Sequence, residues 1–367
     1  MSQKRKKVLV CLSGGVDSAV AALLLQKEGY EVTGAYMKQW SDTKELSGVC
    51  SWKEDRRTAI RVAAHLDIPI ITLDFEQEYK KWVMEYMFDA YEAGRTPNPD
   101  VMCNKFIKFG VWLEKALEMG FDSMATGHYA RIKEEKKKFF LAQAKDEGKD
   151  QTYFLHQVTT DQLEHVLFPL GGYTKEEVRV LAQKNNLPNA NREESMGICF
   201  VGEVPMNEFL QQKISKHPGT VRMSSGEEVG SHDGLSFYTI GQRHVHIKNP
   251  RSEVISHLGG GENTKPLYVL KKDFEKNELI VGFEDDPLMF SKIIGVSGIH
   301  WISGQNPDFP LECAVRLRHR QELQPCSVSL LEGKVSIEMK EPQKSITPGQ
   351  FAVFYKKGIC LGGGEII

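Results

Sequence analysis

The sequence predicts an α/β protein in which a parallel sheet, covered on both faces, is followed by a small loop-rich module and a C-terminal β-barrel. Three observations predict it. Apolar runs alternate with helix-spaced segments from Val8 to His128. The hexapeptide Ser13-Gly14-Gly15-Val16-Asp17-Ser18 sits between the first apolar run and an Ala/Leu-rich stretch. From about Phe290, short β-rich segments are separated by Pro-Gly and Gly-Gly steps.

Val8 to Leu12 reads as a strand, Ser18 to Glu28 as a helix ended by Gly29, and Val32 to Met37 as a second strand. Ala59, Ile60, Val62, Ala63 and Leu66 give Glu54 to Leu66 the spacing of an amphipathic helix, and Ile68 to Phe75 is a third strand. Phe106, Phe109, Leu113 and Leu117 place a helix over Lys105 to Met119, and Ser123 to Thr126 is a short strand ending at Gly127-His128. Ligands of such sheets gather at the carboxyl ends of the strands, where Ser13, Met37 and Gly127 fall. Beyond residue 205, Pro218-Gly219, Ser225-Gly226, Asp233-Gly234 and Gly259-Gly260-Gly261 punctuate short segments. The barrel strands read as Ala314 to Arg320, Ser327 to Leu331, Lys334 to Met339, Phe351 to Tyr355 and Ile359 to Leu361, with Gly362-Gly363-Gly364 as closing punctuation. The divisions expected are 1–205, 206–288 and 289–367, with no internal repeat.

A chain of 367 residues, 41% hydrophobic and 26% charged, has room for two or three domains with ordinary cores. A formal charge of -2 excludes a uniformly basic surface, so nucleic acid would be held by local patches. No apolar run reaches membrane-spanning length and the N-terminus lacks the apolar core of a signal peptide, so a cytoplasmic location away from membranes is expected. Lys4-Arg5-Lys6-Lys7 fits a solvated tail or an RNA contact. Seven cysteines without a C-x-x-C pair suit neither a disulfide framework nor a zinc ribbon.

Three segments carry chemistry. In the hexapeptide, two glycines let backbone approach an anion, the Ser13 and Ser18 hydroxyls add donors, and the following helix offers unpaired N–H groups. Asp17 could cap that helix or hold magnesium, and the lysine of a Walker A loop is absent. In Thr96-Pro97-Asn98-Pro99-Asp100-Val101-Met102-Cys103-Asn104, two prolines forbid a helix, leaving Asp100 and Cys103 in a stiff loop before one that starts near Asn104. Cys103 there is either a dipole-activated nucleophile with Asp100 as proton carrier, or a buried cysteine beside a cap. In Ser195-Met196-Gly197-Ile198-Cys199-Phe200, Cys199 is either a persulfide carrier on a mobile loop or an inert buried thiol.

The loop alone resembles the SGGxDS pyrophosphate loop of N-type ATP pyrophosphatases. Together with GAYMK at 34 to 38, NPDVMCN at 98 to 104, ATGHYA at 125 to 130, KDQTYFL at 149 to 155, MGICF at 196 to 200 and the ending TPGQ…LGGG, it resembles the tRNA-specific 2-thiouridylases over almost the whole chain. The resemblance implies an N-type ATP pyrophosphatase fold, ATP and Mg2+ as cofactors, and thiolation of the wobble uridine of tRNA. ATP adenylates the C2 oxygen, and a sulfur-carrier protein delivers sulfur to Cys199 as a persulfide. That persulfide attacks C2 directly, or Cys103 liberates sulfide by forming a disulfide, with Asp100 as acid/base. ATP would be bound by Cys11, Leu12, Ser13, Gly14, Gly15, Val16, Asp17, Ser18, Met37 and Gly127. Asn98, Pro99 and Asp100 would receive the target base, which must be unstacked. His128, Lys149, Asp150, Gln151, Arg318, His319 and Gln350 would contact tRNA. Arg316, Arg318 and Arg320 alternate with apolar residues and read as one basic strand face.

One segment departs from the pattern: His244-Val245-His246-Ile247-Lys248-Asn249-Pro250 stands where the family has a Gly-rich stretch, which bears on the local backbone and not on catalysis. A monomer is expected. The rival readings are an amidating ligase of the same superfamily, a silent tRNA-binding protein, and a redox protein using Cys103 and Cys199.

Overall fold

The first strand shows an unbroken apolar run because both of its faces are covered. Val8, Leu9 and Val10 of β1 (Lys7–Cys11) are fully buried, Leu9 in one core with Met124 and Val8 and Val10 in another with the helix α1 (Val16–Lys27). The computed structural model describes residues 5–38, 51–193, 206–250, 265–331 and 333–367. β2 (Glu31–Lys38), α2 (Ser51–His65) and β3 (Ile70–Asp74) follow, then two helical runs, α3 (76–92) and α4 (99–118). After β4 (Ser123–Ala125) come a hairpin, β5 (Arg131–Glu135) and β6 (Lys138–Ala142), the two-residue β7 (Val166–Leu167), and α5 (Lys175–Lys184). The five-stranded sheet has the order β3-β2-β1-β4-β7 and is parallel throughout. The chain steps outward from β1 to β3 and then returns to the other side of β1, so the switch point of the sheet lies between β1 and β4.

Two expectations are corrected in this half. The prolines start α4 instead of forbidding it: Asn98 is the N-cap, its Oδ1 accepting the Val101 N–H at 3.4 Å, and Pro99 takes the first helical position. A missing N–H costs nothing there, because that donor has no partner inside a helix. Asp100 and Cys103 therefore lie on the helix, whose Cys103–Trp112 section is π-wound and bends at Gly110. Asp17 does not cap α1; the N-cap is Gly15, and Asp17 lies in the first turn.

The middle of the chain, after a short helix α6 (Met206–Leu210), forms a four-stranded sheet from β8 (Gly219–Met223), β9 (Glu228–His232), β10 (Tyr268–Asp273) and β11 (Glu278–Gly282) in the order β10-β11-β8-β9. In the atypical segment, His244 (φ 59°) and Asn249 (φ 45°) adopt the left-handed conformation themselves, and Lys248 exchanges two 2.8 Å backbone bonds with Ser231. Gly259-Gly260-Gly261 lies outside the described residues.

Six antiparallel strands close the C-terminal barrel: β12 (Phe290–Trp301), β13 (Leu311–Arg316), β14 (Gln324–Leu331), β15 (Lys334–Lys344), β16 (Phe351–Lys356) and β17 (Ile359–Ile366), joined in the order β12-β15-β14-β13-β16-β17 and back to β12. Closure leaves no unpaired edge in the ring. β13 stops at Arg316, so the expected strand to Arg320 is corrected: Arg318 and His319 lie in a turn and Arg320 has φ 63°. Gly362-Gly363-Gly364 is not a turn but the middle of β17, where side chains would strike the carbonyls of His300, Ala352 and Ser297.

The two halves are bolted together. The β5–β6 hairpin extends the barrel sheet at Ile359↔Ala142, and the Gln143 N–H donates to Gly358 O at 2.9 Å. Beside it Asp150, 2% exposed, receives Arg316 Nη1 at 2.5 Å, the Thr152 hydroxyl at 2.8 Å and the Ala144 N–H at 3.1 Å. Asp150→Ala leaves a guanidinium buried without its counterion and is expected to cost about 3–5 kcal/mol, read as a lower urea midpoint; adding Arg316→Met should recover much of it. Nearby, His156 is wholly buried, its Nδ1–H donating to the Tyr153 carbonyl at 2.7 Å, and burial lowers its pKa to about 3. It is neutral when folded, so the unfolded chain takes up the proton first. Stability should hold above pH 6.5 and fall below it, by about 1.4 kcal/mol per pH unit from this group. Urea titrations at pH 7, 6 and 5 test this, with a shallower dependence expected for His156→Gln.

Candidate active site

At the switch point the β1–α1 loop and the end of β4 touch. A Cβ on Gly127 would lie 2.8 Å from the Ser18 nitrogen, so only glycine permits this approach. Within the loop, Ser18 Oγ donates to Gly15 O at 3.0 Å and accepts the Ser13 N–H at 3.2 Å, while Gly15 N–H donates to Ser13 Oγ at 3.3 Å. Gly14 has φ 84°, and a side chain there would meet Asp55 O at 2.5 Å. Its carbonyl accepts Asn189 Nδ2 at 2.9 Å and Arg192 Nη1 at 3.3 Å, and Arg192 is also paired with Asp55. In a trans peptide C=O and N–H point opposite ways, so anchoring this carbonyl turns the Gly15 N–H to the loop's other side, toward exposed Ser13. Leu12 N–H, donating to Ala35 O at 2.8 Å, and buried Val16 fix the flanks.

The second motif converges on the same edge. Cys103 (5% exposed), Cys11 and Met37 share one core, and both Cys103 and Lys108 act electrostatically on the Cys11 thiol. Burial, the larger effect, pushes that thiol well above its ordinary range, so Cys11 stays protonated. The C-terminal barrel holds the start of α4: Gln350 Nε2 donates to Thr96 O at 2.9 Å and Pro97 O at 3.1 Å, Asn98 Nδ2 reaches Gln350 Oε1 at 3.4 Å, and Thr96 N–H donates to Pro348 O at 2.8 Å. Asp100, half-buried in the first turn, is thereby carried at the joint. Cys199 and the surrounding Ser195 to Phe200 lie outside the described residues.

This arrangement of loop, cysteine helix and barrel has known relatives. The family described as the tRNA methyl transferase HUP domain matches residues 6–203, the tRNA methyl transferase PRC-barrel domain residues 207–283, and the aminomethyltransferase beta-barrel domain residues 291–366. A tRNA-specific 2-thiouridylase of Geobacillus kaustophilus is 46% identical over 99% of this chain and 96% of its own. One from Listeria monocytogenes is 44% identical over 98% and 94%. The chain belongs to the tRNA-specific 2-thiouridylase family. A solved 4-thiouridine synthetase–RNA complex with bound ATP, 16% identical over 56% of this chain and 50% of that one, has a TM-score of 0.37, too slight a likeness to bear on function.

Sequence reading of this thiouridylase-family chain missed the residues that surround Asp17. Lys175 Nζ contacts both Asp17 oxygens at 2.8 and 2.9 Å, and the Tyr129 hydroxyl donates to Asp17 Oδ1 at 3.0 Å. One signal was available. Thr174 and Glu177 form a capping box that starts α5 at Lys175, and a lysine in a first turn opposes the helix dipole unless an anion answers it. Asn189 and Arg192 carried no such signal, because the loop group that they hold is a backbone carbonyl.

Of the expected RNA contacts, Arg318 is exposed, and Lys149, Gln151, His128, His319 and Gln350 are half-buried. The charged ends of Asp150 and Arg316 bind each other inside the protein, so neither carboxylate nor guanidinium faces outward. Gln151 Oε1 accepts the Tyr129 N–H at 2.9 Å. His128 Nδ1 lies 2.7 Å from Thr126 Oγ1, and burial, then Lys108, holds its pKa well below the ordinary value, so the ring is neutral. His319 lies 4.4 Å from the Phe154 ring, centroid to centroid. Its pKa is lowered to about 4 by burial first and then by Arg320 and Arg316. The two rings are tilted at 40°, and a neutral imidazole held in this way can offer a base its face or its N–H. Nuclear magnetic resonance titration should find the His319 midpoint near pH 4, and Arg320→Ala should raise it.

Proposed function

We propose that this protein is an ATP-dependent tRNA-uridine 2-sulfurtransferase, converting the wobble uridine of tRNA to 2-thiouridine. The convergence of the β1–α1 loop, the helix start from Asn98 to Cys103 and the barrel's Gln350 at the carboxyl end of the sheet supports the reading, in a chain 46% identical to a curated thiouridylase over 99% of its length. The reaction needs these three parts together. The uracil C2 oxygen is a poor leaving group, so it attacks the α-phosphorus of ATP; the O2–P bond forms, the bond to the β-phosphate oxygen breaks, and pyrophosphate departs. Ser13, Gly15 and the start of α1 offer donors to the phosphates.

Among the described residues no group of three or more His, Cys, Asp or Glu is placed to hold a metal ion. One carboxylate at a phosphate loop suits a magnesium ion that arrives on the nucleotide, and Asp17 is that carboxylate. When bound, magnesium neutralises phosphate charge. Lys175 stands at the loop mouth, where its ammonium can pass from Asp17 to a phosphate oxygen.

Sulfur then replaces the adenylated oxygen. The terminal sulfur of a Cys199 persulfide attacks C2 and AMP leaves, after which the Cys103 thiolate takes the Cys199 sulfur and frees 2-thiouridine. In the alternative order Cys103 attacks first and releases sulfide, which attacks C2. Either order ends in a Cys103–Cys199 disulfide that two electrons restore. Asp100, one turn before Cys103, carries the proton. Asn98 and Pro99 seat the base, while His128, Lys149, Gln151, Arg318 and His319 surround the RNA. A persulfide sulfur-carrier protein is the donor, and a cytoplasmic monomer is the working form. Among the described residues no helix is long and apolar enough to cross a membrane.

Nucleoside mass analysis of unmodified tRNA incubated with protein, ATP, magnesium and a persulfide donor tests the reading. 2-Thiouridine should form with the wild type and not with Cys199→Ser. Lys175→Met should slow RNA-dependent pyrophosphate release by roughly a hundredfold, the scale of losing one charged transition-state contact. ATP splitting without any thiolated base would sink the proposal in favour of an amidating ligase.

A further inference from the structure

Two cysteines of the barrel face each other on neighbouring strands. Cys313 of β13 and Cys326 of β14 are direct partners in the antiparallel register, with Sγ atoms 3.7 Å apart. Opposed residues of antiparallel strands have Cα atoms about 4.5 or 5.5 Å apart, both within the span a disulfide needs. The two differ in access: Cys326 is 4% exposed and Cys313 is half-buried. They differ in acidity as well. The Cys326 S–H beside Cys313 draws its thiol below the ordinary range, and Lys356 adds to this, whereas Cys326 itself is raised. An accessible, more acidic thiol backed by a buried one has the layout of an attacking and a resolving cysteine.

Their position gives the pair a consequence. Two register steps beyond it, Val315 pairs with Gln324, and the intervening turn carries Arg318, His319 and Arg320. Gln321 braces that turn, its Oε1 accepting the Leu317 N–H at 2.9 Å and its Nε2 donating to Gln343 Oε1 at 3.0 Å. A covalent bond between Cys313 and Cys326 would close the base of this hairpin.

We propose that Cys313 and Cys326 form a thiol–disulfide exchange site for low-molecular-weight disulfides, and that the resulting cross-strand bond staples the turn bearing Arg318 and His319. The Cys313 thiolate attacks one sulfur of the small disulfide, forming a mixed disulfide and releasing one thiol. The Cys326 sulfur, giving up its proton, then attacks Cys313 Sγ and expels the second thiol. One small disulfide is reduced to two thiols, and two protein thiols become one disulfide. The exchange chemistry is independent of the tRNA reading; only the turn's role in holding RNA rests on that reading.

The test uses the full chain carrying Cys103→Ser and Cys199→Ser, which removes the competing catalytic pair. The protein is equilibrated with graded mixtures of reduced and oxidised glutathione, alkylated, digested and mapped by mass. The expected result is a Cys313–Cys326 cross-linked peptide lighter by two hydrogens, reversed by dithiothreitol. Cys326→Ala, which keeps the site apolar, should instead trap glutathione on Cys313. Both cysteines remaining alkylatable at the most oxidising ratio, or the same Cys313 state with and without Cys326, overturns the exchange site. Hydrogen exchange over residues 317–323 should slow at least threefold on oxidation; unchanged exchange overturns the staple. Thiolation activity of the wild type under reducing conditions is measured separately, so failure of the functional reading and failure of this one are distinct results.

Discussion

A buried ion pair anchors the N-terminal half to the barrel. Asp150 and Arg316 come from segments 166 residues apart and meet where neither is exposed by more than a few per cent. Removing both from water is costly, and the cost is offset in part: the Thr152 hydroxyl and the Ala144 N–H satisfy the carboxylate and the Tyr355 ring lies 5.3 Å from the guanidinium, whose Nε has no hydrogen-bond partner among the described residues. An apolar contact would bind as well yet tolerate sliding, whereas an ion pair ringed by directional bonds has one geometry. Its sequence neighbours are the segments expected to touch RNA, Lys149 and Gln151 on one side, Arg318 and His319 on the other. Fixing the pair fixes their spacing.

The parallel sheet was legible because buried strands and amphipathic helices have distinct periods, and the tight β1–α1 loop because its glycines answer a need for close backbone approach. What escaped depended on contacts distant in sequence. The β5–β6 hairpin looks like surface chain in a list of residues (Arg131, Lys133, Lys138), since what it pairs with is synthesised far later. The basic face imagined for Arg316, Arg318 and Arg320 failed because alternation says which side of a strand a residue takes, not where the strand ends. The proline reading failed for a local reason: Pro97 and Pro99 were weighed as helix breakers, although Pro99 behind an Asn98 cap is the favoured start of a helix.

Charge counting misjudges this surface for a related reason. Lys175, Arg192, Arg95 and Arg316 each meet a carboxylate of the same chain, Asp17, Asp55, Glu365 and Asp150 respectively. These cations are held by carboxylates of the fold, two beside the β1–α1 loop and two at the joint, and a near-neutral total hides them. The local environment of each basic residue, not the sum, decides what an RNA backbone meets.

The last strand has one further consequence. β17 closes the barrel against β12 and also reaches back to the catalytic half, where Gly363 O accepts Gln157 Nε2 at 3.3 Å across 206 residues and Gly363 lies against His156. On a ribosome working at about 5–20 residues per second, that gap corresponds to roughly 10 to 40 s. For that interval the first half exists without the surface that seals it. Arg316 and Gln350 reach the joint earlier in synthesis, and the eight residues of β17 supply the contacts that come last, closing the barrel against β12 as they do so.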